Sequence, residues 1–261
     1  GVFALVLVLG VFFLAAFGST VVGDPNEISM AILEKPSSEH WFGTDGLGRD
    51  YFARVVSGAR TSIALSLMAM AIGGVAALLI GMVSAYAGGL FDLLGQRIID
   101  MLLAFPGLIL LLLTVQVVGR GWEAMAVGLG VVYAVNLTRL IRANTLSTLA
   151  NPYVEAARVL GAWAPRILFR HVLPNMGPPT LIYMTALIGG AILAEGALSF
   201  LALGIAPPTP SWGRMLADGR ELWQEWHLSV FPGVAMTVAV LGFNLLGDTM
   251  RDVFDPRLRG R

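Results

Sequence analysis

Few side chains in this sequence are equipped for covalent chemistry, and none stand at spacings that make a reaction centre. The three histidines, His40, His171 and His227, fall in separate polar stretches without the HExxH spacing that sets two imidazoles on one helical face for zinc. No cysteine is present, which excludes disulfides, thiolate metal ligands and thiol nucleophiles. No GxSxG stretch supplies a serine elbow. A phosphate-cradling loop needs a glycine-rich turn ending in Lys-Ser or Lys-Thr, yet the one lysine, Lys35, lies in Leu33-Glu34-Lys35-Pro36. The chain is therefore expected to be no enzyme, to hold no metal or cofactor of its own, and to draw any nucleotide energy from a separate subunit.

What remains is the chemistry of contact. Glu155-Ala156-Ala157, then Gly161, then Leu173-Pro174 form a polar island between apolar runs. Asn151 is expected to cap a helix through its side-chain oxygen, with Pro152 at the first helical position, where no N–H is needed. Ala156 and Ala157 add helix propensity with little bulk, so another surface can come close. Gly161 is expected to stop the helix in the left-handed region. Pro165 can open a second short helix bearing Arg166 and Arg170, and Pro174 is expected to keep that helix from running into the next apolar run. On the residues alone this is either a docking element or a plain connector.

A second polar stretch runs from His40 to Asp50 and on through Arg54 to Gly58-Ala59-Arg60-Thr61-Ser62. It reads as a glycine-rich turn followed by a short amphipathic helix on a membrane surface, anchored by Tyr51, Phe52, Val55 and Val56. Its Asp45, Arg49, Asp50 and Arg54 are candidates for contact with an extracytoplasmic partner, a solvated linker being the alternative. Glu195 is isolated in an apolar run. A carboxylate at the centre of a span costs roughly 2.5–3.5 kcal/mol on an insertion scale, so it should face the bundle interior or a wet cavity. It either contributes to a solute path or closes a broken helix ahead of Gly196 and Pro207.

The elements that must position these groups are membrane helices. Hydrophobic residues make up 56% of the chain, charged residues 13%, and the mean hydropathy is +0.76, which together describe an all-α integral membrane protein. Six apolar runs are long enough to predict six transmembrane helices, at 2–22, 62–85, 98–118, 124–140, 176–193 and 228–246. The predicted organisation is a first span at 1–22, an extracytoplasmic loop with an interfacial helix at 23–61, a five-helix core at 62–249 enclosing the polar loop 143–175, and a cytoplasmic tail at 250–261. The first run has no basic leader or small-residue cleavage site and is read as a retained span. With the chain starting inside, ten basic residues (Arg97, Arg139, Arg142, Arg158, Arg166, Arg170, Arg251, Arg257, Arg259 and Arg261) fall on the inner side against seven (Lys35, Arg49, Arg54, Arg60, Arg120, Arg214 and Arg220) on the outer, a modest bias by which both termini and the loop 143–175 are expected to be cytoplasmic. A net charge of zero gives no reason to expect nucleic acid. Gly73, Gly74, Ala77 and Gly81, and Gly189, Gly190 and Ala194, are expected to let helices pack backbone to backbone, and Asn136 to bond between helices.

Glu155-Ala156-Ala157, three residues, Gly161 and the later Leu173-Pro174 resemble the EAA loop of the membrane subunits of ABC importers, with His171 where the general pattern has Ile. Arg170 to Asn175, Gly43 to Asp50, Gly58-Ala59-Arg60, Ala194 to Gly213 and Gly242 to Asp248 are similar to the peptide and nickel branch of that family. The resemblance implies a permease that alternates access under the drive of two ATP-binding subunits, which use ATP and Mg. It also implies a related second permease as heterodimer partner, an extracytoplasmic solute-binding protein, and a home in the bacterial inner membrane. Glu155, Ala156, Ala157, Arg158, Gly161 and Pro174 become the ATPase-coupling residues. Implied substrates are dipeptides, oligopeptides, nickel chelates, glutathione or haem. The alternative is a stand-alone secondary transporter or channel, which predicts buried ion-coupling charges, with Glu195 the one candidate.

Overall fold

A computed structural model of the chain describes residues 1–254, apart from Arg120 and Ala202. Among the described residues the fold is all helical, without a strand. In order the helices are α1 (Val2–Val21), α2 (Tyr51–Ala87), α3 (Gly89–Leu103), α4 (Gly107–Val118), α5 (Trp122–Leu149), α6 (Pro152–Val159), α7 (Ala164–Ile167), α8 (Leu173–Phe200), α9 (Trp212–Glu221) and α10 (His227–Phe254). A π-helical turn at Leu168–Val172 joins α7 to α8. By length and composition, α2, α5, the run 164–200 and α10 can each cross a membrane, and α3 with α4 makes a fifth if that bent pair is one span. The apolar part of α1, Val2–Gly18, is shorter. The six predicted runs thus correspond to four long helices, one broken pair and one shorter helix.

The frame is a pair of parallel helices. Gly73 of α2 lies against Gly130 of α5, and Gly81 against Thr138 and Ile141, so the two run in the same direction. A Cβ on Gly73 would stand 2.7 Å from the Gly130 carbonyl oxygen, closer than atoms can come, so only glycine permits this spacing. Because α2 and α5 are parallel, the chain between them has to return to the starting end, and α3 with α4 does so. Helix α8 runs antiparallel to both α2 and α10, with Gly189 beside Val240 and Asn244 and Gly196 beside Met236. The core gathers Ile63, Met70, Leu137, Ile141, Ile192 and Phe243 between these helices. Gly73→Ala should lower thermal stability in detergent by about 1–3 kcal/mol, as overpacking does. Gly95→Ala on α3, where nothing lies within 4 Å, is the control and should cost nothing.

Several local expectations are corrected. The segment from Tyr51 is the opening of α2 itself, not a separate interfacial helix, because nothing between Arg60 and Ser62 breaks the helix. Its supposed surface anchors Tyr51, Val55 and Val56 are 3%, 6% and 6% exposed and belong to the core. The third predicted span is bent by 99° between α3 and α4. Pro106 accounts for the break: its ring excludes helical geometry at Phe105, and it opens α4 instead. Pro174 does not end a helix, since α8 runs on from the π turn, whose i to i+5 bond from Leu173 N to Leu168 O widens the backbone where the proline ring needs room. Asn136 donates to Val132 O of its own helix at 2.8 Å rather than across helices. Of the expected tail, 250–254 is the end of α10, and 255–261 lies outside the described residues.

Candidate functional site

Two constructions, one at each end of the bundle, hold the predicted residues. At the end where α2 and α5 finish, α6 projects from the body on Val154, which is fully buried. Asn151 opens it through its backbone carbonyl, which accepts from Val154 N at 3.0 Å and Glu155 N at 3.4 Å. Its side chain faces backwards: Nδ2 donates to Ser147 O and Thr148 O at 3.2 and 3.0 Å, closing the end of α5 rather than capping α6. Gly161, at φ +81°, ends α6 as expected. Gly161 N donates to Arg158 O at 2.9 Å and Ala162 N to Ala157 O at 3.0 Å, the paired bonds of a Schellman turn.

Glu155, Ala156, Arg158, Gly161 and Pro174 are exposed and Ala157 is half-buried. The guanidinium of Arg158 lies 5.6 Å over the Tyr86 ring at the end of α2. Around them stand apolar side chains that the sequence reading passed over. Val159 is 83% exposed, Leu160 87% and Trp163 68%. Apolar groups clustered on a polar loop mark a docking surface, and their position astride a glycine stop was the signal available in the sequence.

At the opposite end, loop 23–50 is pinned to the start of α2. Asp45 Oδ1 accepts from Leu47 N and Arg49 N at 2.9 and 3.1 Å, while its Oδ2 meets Arg49 Nε at 2.7 Å and Arg54 Nε at 3.4 Å. Arg54, 3% exposed, also donates to Pro25 O at 3.1 Å. Asp50 caps α2 by accepting from Ala53 N at 2.9 Å and pairs with His40 Nδ1 at 2.9 Å. Of the four predicted partner-contact residues, Asp45, Arg49 and Arg54 are brought together in one ion cluster while Asp50 pairs separately with His40; Asp45 and Arg54 are turned inward, and Arg49 and Asp50 keep part of their surface. The outward face of the loop is instead Met30, Trp41 and Leu47, each more than half exposed. Asp45→Ala should loosen this loop, read as faster protease cleavage within 23–50, with α2 to α10 unaffected. Unchanged cleavage would mean that the network does not order the loop.

Near the same end, Glu195 is a joint between three helices. Its Oε1 accepts from Ser199 Oγ at 2.8 Å and Ser211 Oγ at 3.0 Å, and its Oε2 from Ser62 Oγ at 3.1 Å. Ser62 Oγ accepts in turn from Trp212 N at 3.2 Å, and Trp212 Nε1 donates to Val55 O at 2.9 Å. Ser211 caps α9 by accepting from Arg214 N at 3.2 Å. The carboxylate is 0% exposed. It therefore seats α9 on α2 and α8 rather than closing a broken helix, since α8 continues past it to Phe200. At this end a cleft of about 630 Å³ lies between the loop and α9, its lining including Arg49, Arg54, Tyr51, Arg214, Asp218 and Glu221. Burial pushes the Asp218 carboxyl above its ordinary value, with Arg214 opposing.

Residues 77–260 match the family described as the inner membrane component of binding-protein-dependent transport systems. The chain belongs to this family. It is an ABC importer permease subunit and a multi-pass inner-membrane protein. The permease is 42% identical over 226 residues to a glutathione transport system permease protein of Escherichia coli O1:K1, covering 86% of this chain and 75% of the relative. The corresponding protein of Pectobacterium atrosepticum is 39% identical over 227 residues, covering 87% and 75%. In fold the permease is similar to a chain of the MetNI methionine ABC transporter in inward-facing conformations, with a TM-score of 0.63 at 20% identity, covering 77% of this chain and 96% of that one. A crystallised amino acid ABC transporter with histidines gives 0.59 at 17% identity, covering 78% and 95%.

Proposed function

We propose that the permease carries glutathione or another small peptide inward, driven by two ATP-binding subunits, one of which docks on α6. The observation that supports this most directly is the α6 surface: a short helix stopped by a left-handed glycine, with Glu155 and Arg158 exposed and Val159, Leu160 and Trp163 bare beside them. Such a group is suited to a protein cleft, which would cover the apolar side chains and meet the charges. Ala156 and Ala157 leave the backbone close to the partner, and Gly161 fixes the turn that aims the helix.

The remaining assignments follow from that placement. The α6 end is cytoplasmic, so both termini are cytoplasmic and the six apolar runs all cross. The loop 23–50 and α9 then face outward toward a solute-binding protein, with Arg49, Asp50 and the apolar Trp41 and Leu47 offered to it. A related permease completes the path as a heterodimer. The permease itself catalyses no reaction, and ATP and Mg are bound by its partners.

Proteoliposomes holding the assembled complex and its binding protein test this. ATP-dependent uptake of labelled glutathione, competed by dipeptides, is the expected result. Uptake on an ion gradient by a complex without any ATPase subunit would overturn it.

A further inference from the structure

We propose that α3 is a hinged flap at the α6 end of the bundle, latched to α5 by ion pairs and moved when α6 moves. It opens on two successive residues of positive φ, its N-cap Gly88 at φ 62° and its first residue Gly89 at φ 56°, and a Cβ on either would meet nothing within 4 Å. It ends at the break before Pro106, where α4 departs at 99°. Between these two pivots only Ile99 is buried. Leu90, Phe91, Leu94, Ile98 and Met101 face away from the body, each more than half exposed. Apolar packing within the chain is confined to the far end of the helix, where Ile99, Leu102 and Leu103 join Leu110, Val132 and Val135.

Its hold is polar. Asp92, Gln96 and Asp100 recur at the spacing that puts them on one helical face, and that face meets α5 and the end of α2. Asp92 accepts from Arg142 Nε at 2.7 Å and from a second nitrogen of the same guanidinium. Asp100 accepts from Arg139, and Gln96 Nε2 donates to Ser84 Oγ at 3.3 Å. These side chains line a polar cleft of about 620 Å³. The outer pair, Arg139 and Asp100 at 55% and 40% exposed, is of the weak and breakable kind, whereas Asp92 and Arg142, bidentate and at 13% and 31%, carry most of the hold. The release is at hand: Tyr86, under the Arg158 guanidinium of α6, lies two residues before Gly88. A pull on α6 is thus passed to the first pivot of α3. The flap's part in transport rests on the importer reading; the latch itself does not.

Two measurements on the assembled complex test this, with the other subunits made cysteine-free, since this chain has no cysteine of its own. Spin labels at Leu94→Cys and Leu146→Cys report the separation of α3 and α5. A narrow distance distribution is expected, lengthening and broadening with Asp92→Ala and narrowing again when Asp92→Arg is combined with Arg142→Asp. A distribution that Asp92→Ala leaves unmoved overturns the latch. Cross-linking of Ser84→Cys to Gln96→Cys with a short bis-methanethiosulfonate, which spans the reach of the replaced glutamine side chain, should then cut ATP-driven uptake about tenfold or more, as expected when a gating element is tethered, with recovery on reduction. Full uptake by the cross-linked protein overturns the flap's part in transport. If the unmodified complex shows no ATP-driven uptake, the importer reading has failed, and the latch is judged on the distance distribution alone.

Discussion

Gly161→Val should separate ATP hydrolysis from transport, lowering uptake per ATP about five- to tenfold while the complex still assembles. A non-glycine residue in the left-handed region costs roughly 1–2 kcal/mol, and a branched one stands at the upper end, which is enough to shift a two-state loop population by about tenfold. At φ +81° the whole of that cost is backbone, because a Cβ at this position meets nothing within 4 Å. Loss of the turn releases the bonds from Gly161 N and Ala162 N, so α6 either frays or runs on, and Leu160 and Trp163 are re-aimed. Gly161→Asn, a residue that tolerates the left-handed region, should retain most of the coupling. Paired measurements of ATPase and uptake decide it, and a valine variant that couples as tightly as the native chain would remove α6 from the transmission path.

The second large effect is expected at the Glu195 joint. Glu195→Ala leaves the hydroxyls of Ser62, Ser199 and Ser211 without their carboxylate. Each buried donor left unpaired costs about 1–3 kcal/mol, less where a hydroxyl can rotate to a backbone carbonyl. Helix α9 should come loose, with a lower thermal midpoint and new protease cleavage between α8 and α9. Glu195→Gln keeps the volume and one acceptor oxygen and should hold α9 in place. It also separates a structural carboxylate from one in the solute path: uptake of cationic, neutral and anionic peptides in the native ratio supports the structural role, and a charge-dependent change puts Glu195 in the path.

Much of this architecture was legible because membrane helices announce themselves by composition. The apolar runs, the stop at Gly161 and the close approach at Gly73 and Gly81 each follow from a local rule that tertiary structure did not override. The misses share a cause: they depend on what a residue meets, not on what it is. Asn151 turned from capping α6 to closing α5 because the free carbonyls at the end of α5 lie within its reach. Asp45 and Arg54 carry charges that look suited to an external partner, yet Arg54 finds Asp45 and the Pro25 carbonyl first. Glu195 could be flagged as costly in an apolar run, but its serine partners lie 4, 16 and 133 residues away, and only folding assembles them. The bend at Pro106 was visible in the sequence as a proline, though its consequence, a helix turned across the end of the bundle, was not.

The π-helical turn at Leu168–Val172 sets a rotational phase. A π turn holds one more residue than an α turn, so it advances everything beyond it by about 100° relative to an uninterrupted α-helix. The face of α8 that presents Glu195 to α2 and α9 is thereby timed against the face of α7 that follows the Gly161 turn, like the two ends of a screw cut with one extra thread. Forcing residues 168–172 into α geometry at unchanged length would turn Glu195 away from Ser62, whereas deleting one residue there would remove the extra residue and leave Glu195 facing Ser62. Register, as much as contact, joins the two ends of this permease.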